Sequence, residues 1–229
     1  MHLLAWLGGG LFVAALLYTV YFYASVLGNP APATDSPWPI AAGVNLMLFG
    51  VFAAHHSILA RAAAKRWIER IVSAQMERSF YVWAASLLLI VVWVFWRLTA
   101  GLVYEVDGWG RWLLYAIQAA GAYLTIRAAG VIDALELAGI RQAQRQTQPV
   151  VFRTDGPFGL VRHPIYLGWV LMTFAAPTMT VNRLIFAVIT SSYLVLAIPW
   201  EERSLISAFG DRYRTYQAMV KWRLLPGVW

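Results

Sequence analysis

Five apolar runs dominate this chain: Leu3–Leu27, Ile40–Leu59, Phe80–Leu98, Trp112–Val131 and Pro164–Trp200. A membrane helix needs roughly 20 apolar residues, and the first four runs meet that length. The fifth is interrupted by Pro177-Thr178-Met179-Thr180-Val181-Asn182-Arg183. It predicts a helical hairpin whose first limb, 164–176, is short or tilted. Pro164 suits the first turn of that limb, where its missing N–H is no loss. Charged residues make up 13% of the 229, against about 25% in soluble domains. With 60% hydrophobic residues and a mean hydropathy of +0.60, the expected class is an all-α integral membrane protein of about six hydrophobic helices. No polar stretch is long enough to bury its own core. The expectation is one membrane domain over 1–229, with N-terminal helices in 1–131 and a functional core in 132–229.

The first run lacks a basic leader and a small-residue cleavage site, and it exceeds the length of a signal-peptide core, so it reads as a retained helix. A proline-rich turn follows it (Gly28 to Pro32, then Pro37 and Pro39). Residues 61–78 form a basic amphipathic stretch with Trp67, Ile68, Ile71 and Val72 on its apolar side, as an interfacial segment would. The loop at 28–39 has no Lys or Arg, whereas 61–78, 141–162 and the tail are rich in them. By the positive-inside rule, both termini and the 133–163 segment face the cytoplasm. The net charge of +7 is explained by these flanking residues. No basic groove or nucleic-acid-binding module is legible. Cysteine is absent, which excludes disulfides, thiolate metal sites and a cysteine nucleophile. Four histidines, His2, His55, His56 and His163, leave little room for a multi-metal or multi-haem site, and no metal is expected.

Ionisable groups beside hydrocarbon are costly and mark functional sites in membrane proteins. Arg162, His163 and Tyr166 open the hairpin, and Glu201-Glu202 close it. On the inferred topology these groups converge at the cytoplasmic face. Two carboxylates suit a ligand with an ammonium group and ribose hydroxyls, and aromatic faces suit a sulfonium cation. A purely structural alternative pairs Glu202 with Arg203 or Arg162 and leaves His163 to cap a helix.

Residues 150–226 resemble the C-terminal core of the isoprenylcysteine carboxyl methyltransferase and phospholipid methyltransferase superfamily. The resemblance lies in Thr154-Asp155-Gly156-Pro157-Phe158 and Arg162-His163-Pro164-Ile165-Tyr166-Leu167-Gly168. It continues in Glu201-Glu202-Arg203-Ser204-Leu205, Phe209-Gly210, Tyr213, Tyr216 and Pro226. In the N-terminal half, His56 to Arg61, Lys65-Arg66-Trp67, Glu77-Arg78-Ser79-Phe80-Tyr81 and Gly139-Ile140-Arg141-Gln142 resemble the bacterial methanethiol S-methyltransferase branch. They are also faintly similar to accessory membrane proteins of nitrite and nitric-oxide reductases. The stretch 131–136 departs from the more aromatic one expected of the thiol branch.

The resemblance implies S-adenosylmethionine as methyl donor in a cytoplasmic pocket. It implies Arg162, His163, Tyr166, Gly168, Glu201 and Glu202 as the residues that bind it, with Gly168 admitting the ligand close to the helix backbone. Tyr166 is expected to orient donor or acceptor. His55 or His56 is a candidate base, with His56 set among the catalytic residues and Arg78 a further catalytic candidate. His55, Arg141 and Trp200 are expected on the substrate side, Trp200 as a pocket wall. Arg127, deep in the fourth run, is expected to pair with Asp133 or Glu136 or to mark a deeper end of the cavity. The acceptor is expected to be a small or lipophilic thiol. An isoprenylcysteine-like carboxylate or a phospholipid amine is the alternative, and a non-catalytic haem- or quinone-associated protein is the alternative of another class. The expected setting is a bacterial inner membrane, with membrane lipids as surroundings, no nucleic acid and no obligate protein partner.

Overall fold

A computed structural model describes residues 2–29, 37–59, 61–130, 135, 138–144, 152 and 154–229. In chain order the helices are α1 (His2–Tyr21), which runs on as a π-helical turn (Phe22–Val26), α2 (Trp38–Leu59), α3 (Ala62–Ile68), α4 (Glu77–Val94), α5 (Gly108–Ala129), α6 (Ile140–Ala143), α7 (Pro164–Phe174), α8 (Val181–Phe209) and α9 (Asp211–Met219). Two short strands, β1 (Leu102–Glu105) and β2 (Thr178–Thr180), pair with each other. The protein is an all-α integral membrane protein. Among the described residues, four helical stretches are long and apolar enough to cross a membrane: His2–Val26, α2, α4 and α8. α5 is 22 residues long but less apolar, since it carries Arg111, Gln118 and Arg127. The interruption expected at 177–183 contains β2 rather than a simple turn. The proline-rich segment 30–36, the expected Arg127 partners Asp133 and Glu136, and Arg145 and Arg153 lie outside the described residues.

The chain divides into two compact units. The first comprises 1–101, 132–149 and 180–182; the second comprises 102–131, 150–179 and 183–229. The division does not follow the two halves expected from sequence, because α5 belongs with the later helices and α6 with the earlier ones.

In the first unit, α1 packs on α4 and α6 through small residues. A Cβ on Gly8 would meet the Trp83 indole at 2.8 Å, and one on Gly9 would meet Ile140 Cδ1 at 2.9 Å. Small residues at such crossings let helix backbones approach where no hydrophobic effect drives them together. Ala5, Ala138, Ile140 and Ala143 form the buried cluster beside this crossing. Buried polar groups are matched with care. The Thr19 hydroxyl donates to Ala15 O at 2.8 Å and accepts Trp93 Nε1 at 2.8 Å. Beyond α4, where the helical ladder ends, two fully buried asparagines serve the backbone. Asn45 accepts from Arg97 N at 2.7 Å and donates to Arg97 O at 2.9 Å. Asn182 does the same for Thr99, with both bonds at 2.8 Å. Each side chain thus stands in for a neighbouring strand at a place where unpaired backbone is costly.

In the second unit, α5 and α7 cross at two glycines. A Cβ on Gly121 would meet Gly168 O at 2.6 Å, and one on Gly168 would meet Gly121 O at 2.5 Å and also the Thr125 hydroxyl. Around this crossing, Val161, Leu167, Ile198 and Leu224 are buried together. A second cluster, Tyr213, Tyr216 and Val220 with Phe152, Phe158 and Phe209, fastens α9. α8 runs through Pro199 without ending. It therefore carries Glu201 and Glu202 inside a helix, where the sequence suggested the end of an apolar limb.

Replacing Asn45 with Ala leaves the N–H and C=O of Arg97 without their partners. Each such group costs about 1–3 kcal/mol, and each kcal/mol lowers the melting temperature by about 2–4 °C in a chain of this size. Thermal unfolding of the variant in detergent measures the loss. A melting temperature equal to that of the unchanged chain would show that the clamp is dispensable.

Candidate active site

Adjacent residues on a helix point about 100° apart, and this separates the two glutamates of α8. Glu202 points inward, with its side chain 5% exposed, whereas that of Glu201 is 45% exposed. Glu202 Oε1 accepts from Arg162 Nε at 2.6 Å and lies 3.4 Å from His163 Nε2. Its Oε2 accepts from Gln217 Nε2 and from Arg223 Nε, both at 3.3 Å. Four donors from three stretches of chain therefore occupy this one carboxylate. Arg162 adds bonds from Nη1 to Val220 O at 2.8 Å and Lys221 O at 2.9 Å. Two backbone bonds tie the same segments: Arg162 N to Trp222 O and His163 N to Arg223 O, both 2.9 Å.

Pro164 starts α7, so His163 and Tyr166 share its first turn, and their rings stack at 5.3 Å and 17°. The Tyr166 hydroxyl donates to Glu201 Oε2 at 2.7 Å, and His163 Nδ1 lies 3.5 Å from the same oxygen. His163 occupies the helix N-cap position, yet its side chain makes no capping bond. Its two ring nitrogens face the two carboxylates instead. Burial opposes charge on this imidazole, but hydrogen bonds to Glu201 and Glu202 outweigh it and raise its pKa above the ordinary histidine value.

The second unit thus gathers Arg162, His163, Tyr166, Glu201 and Glu202. The structural alternative for Glu202 is realised in part, since it does pair with Arg162, although in a buried hub rather than at the surface. One expectation needs correction. The open side of Gly168 faces Gly121 and Thr125, so its missing side chain serves the crossing with α5 and not the approach of a ligand. Trp200 is 47% exposed and carries the Arg203 guanidinium over its ring at 5.8 Å. Gln217 and Arg223 were not singled out from the sequence as site residues; a glutamine in α9 and one basic residue among several in the tail carry no local signal.

The remaining candidates lie in the first unit. Tyr81 organises them: its ring stacks on His55 at 5.9 Å and 13°, and the Arg78 guanidinium sits over it at 5.2 Å. Its hydroxyl is 2.8 Å from His56 Nδ1. Arg141 lies on α6, which packs against α4. At that junction Gly139, at φ +72°, has the Ser79 N–H where a Cβ would stand 2.9 Å away, so a larger residue would be strained there twice over.

Glu202→Gln breaks one side of a buried ion pair, which costs about 3–5 kcal/mol, and should unfold the chain in detergent well below the unchanged protein. Glu201→Gln weakens one half-exposed hydrogen bond and should cost no more than about 1.5 kcal/mol. Equal melting temperatures for the two variants would remove the distinction. A second outcome concerns pH. A raised folded-state pKa means that His163 stabilises fully below its unfolded value of about 6.5 and loses that contribution as pH rises through the folded value. The stability gap between the unchanged chain and His163→Gln should therefore narrow as pH rises. A gap constant with pH would mean that His163 is neutral throughout.

The profile of the isoprenylcysteine carboxyl methyltransferase family matches residues 113–207, a span that holds α7 and both glutamates. A methanethiol S-methyltransferase of Pseudomonas sp. is 34% identical over 218 residues, 91% of this chain and 84% of its own length. Methanethiol S-methyltransferase 1 of Bradyrhizobium diazoefficiens is 36% identical over 94% of this chain and 78% of its own. The methanethiol S-methyltransferase of Mycobacterium tuberculosis is 35% identical over 94% of this chain and 91% of its own. No solved structure gives a significant match. The chain therefore belongs to the isoprenylcysteine carboxyl methyltransferase family of membrane methyltransferases, and within it is most like the bacterial methanethiol S-methyltransferases.

Proposed function

We propose that this methyltransferase uses S-adenosylmethionine and passes its methyl group to a small or lipophilic thiol at the cytoplasmic face of a bacterial inner membrane. The observation that carries the donor site is the half-exposed Glu201 beside the stacked rings of His163 and Tyr166. Glu202, by contrast, has its oxygens taken by the protein. Glu201 suits the donor's ammonium group or ribose hydroxyls, and the aromatic pair suits a sulfonium cation. Arg162 and Glu202 hold this turn of α7 in place. The donor supplies an electrophilic methyl group. The residues bind and align: correct alignment of two reactants contributes roughly 7–11 kcal/mol to such a step, and exclusion of water strengthens an anionic nucleophile.

The names of the most similar relatives support a thiol acceptor. A thiol must lose its proton first, because the thiolate is the nucleophile. His55, His56, Arg78 and Arg141 of the first unit are proposed for the acceptor side. The family match itself favours a second reading, a prenylcysteine-like carboxylate, which would arrive ionised and need only a cationic clamp.

Two measurements test the proposal. Calorimetry with S-adenosylhomocysteine should show binding that falls roughly tenfold to a hundredfold in Glu201→Gln, since a hydrogen bond to a charged group contributes about 1.5–3 kcal/mol. Affinity within twofold of the unchanged chain would remove Glu201 from the donor site. In a labelled-methyl assay in detergent, the rate with a thiol should rise from neutral to alkaline pH as the thiolate forms. A carboxylate acceptor, ionised above about pH 5, gives a flat profile there. Transfer to prenylcysteine or phosphatidylethanolamine with none to any thiol would reject the thiol reading and keep the methyltransferase.

A further inference from the structure

Among the described residues, two ionisable side chains have buried polar atoms with no hydrogen-bond partner: His55, at both ring nitrogens, and Glu77, at Oε1. A buried donor or acceptor left unmatched costs about 1–3 kcal/mol, and each instance in a native structure calls for a reason. Asn45 and Asn182 of the same unit show such needs met, while Ser86 Oγ is a further unmatched buried atom there. The two orphans sit on helices that pack together, His55 on the last turns of α2 and Glu77 at the start of α4. Tyr81 joins them: it is one turn beyond Glu77, on the same face of α4, and its ring lies flat on His55.

The same geometry distinguishes the neighbouring histidines. His56 has Nδ1 held by the Tyr81 hydroxyl and its ring against Phe52 at 5.5 Å. His55 has its ring face on Tyr81 and both buried nitrogens without a partner. One cation is placed beside this stack, the Arg78 guanidinium over the Tyr81 ring, and Glu77 opens α4 one turn before Tyr81. Positive charge nearby favours a thiolate over a thiol, and aromatic rings such as Tyr81 and Phe52 make favourable contacts with sulfur.

We infer that His55, rather than His56, is the base that takes the proton of the acceptor thiol, in a site that Glu77, Arg78 and Tyr81 complete. The inference rests on the thiol reading of the proposed function. The step is a proton transfer. The S–H bond breaks, its electron pair stays on sulfur, and the proton forms an N–H bond on the neutral imidazole. The proton later passes to solvent. Arg78 stabilises the thiolate, and Tyr81 keeps the His55 ring in its plane. Glu77 Oε1 accepts a hydrogen bond from the protonated site. The acceptor class is a small thiol that is un-ionised at neutral pH.

The test uses the full chain in detergent. An aromatic thiol whose thiolate has its own absorption band is titrated with protein and no methyl donor. The unchanged chain should lower the apparent pKa of the bound probe by about one unit, a tenfold change in ionisation. His55→Gln should return it to the free value, a larger change than His56→Gln produces. In single-turnover transfer to an alkyl thiol at neutral pH, His55→Gln should lose about 10²–10⁴-fold and recover as pH rises. Retained affinity for S-adenosylhomocysteine and a retained melting temperature report folding, and His55→Asn replaces the glutamine variant if either fails. A probe pKa and an alkyl-thiol rate in His55→Gln equal to those of the unchanged chain would overturn the inference, as would the pH-rescued pattern appearing in His56→Gln. If the unchanged chain methylates no thiol, the proposed function fails first and the inference with it.

Discussion

A carboxylate taken out of water costs several kcal/mol unless its lone pairs are matched, and the second unit is arranged around meeting that demand at Glu202. Its four donors come from the approach to α7, from α9 and from the segment that follows α9. Arg162 then turns to the carbonyls of Val220 and Lys221, so the ion pair also fixes the path of the chain after α9. With these segments tied, His163 and Tyr166 are held in one turn and Glu201 is left facing outward beside them. A ligand-facing group gains from rigid support, and the adjacent glutamates divide these tasks between them.

Helix packing supplies the other half of the support. Gly121 and Gly168 bring α5 and α7 into backbone contact, so the turn that carries Tyr166 cannot shift along α5 without a clash. The same device recurs in the first unit at Gly8 and Gly9 against Trp83 and Ile140. In both units small residues set where helices meet, and matched polar side chains close the backbone beyond the helix ends. Among the described residues, His55 and Glu77 are the ionisable side chains whose buried atoms stay unmatched.

The helices were legible because a period of apolar residues about 20 long has one stable outcome in lipid. Their approximate limits followed, with α4 beginning three residues before the expected Phe80 and α5 four before Trp112. β1 and β2 were not legible, because strands of four and three residues carry no periodicity. The passage of α8 through Pro199 was missed for a related reason. Proline is a strong local stop signal, yet membrane helices tolerate it when neighbours satisfy the freed carbonyl.

The sequence by itself determined the membrane class and the residue types of the candidate site, since length, hydropathy and a motif with fixed spacing are local properties. It left the two glutamates equivalent, and it set His56 among the catalytic candidates with His55 on the substrate side. It read Gly168 as room for a ligand. Only the tertiary structure decided these matters. Which glutamate is buried depends on the rotation of α8 against α7 and α9, and which histidine is engaged depends on where Tyr81 of α4 meets α2. A glycine's vacant side can be assigned only when the helix that fills it is in place.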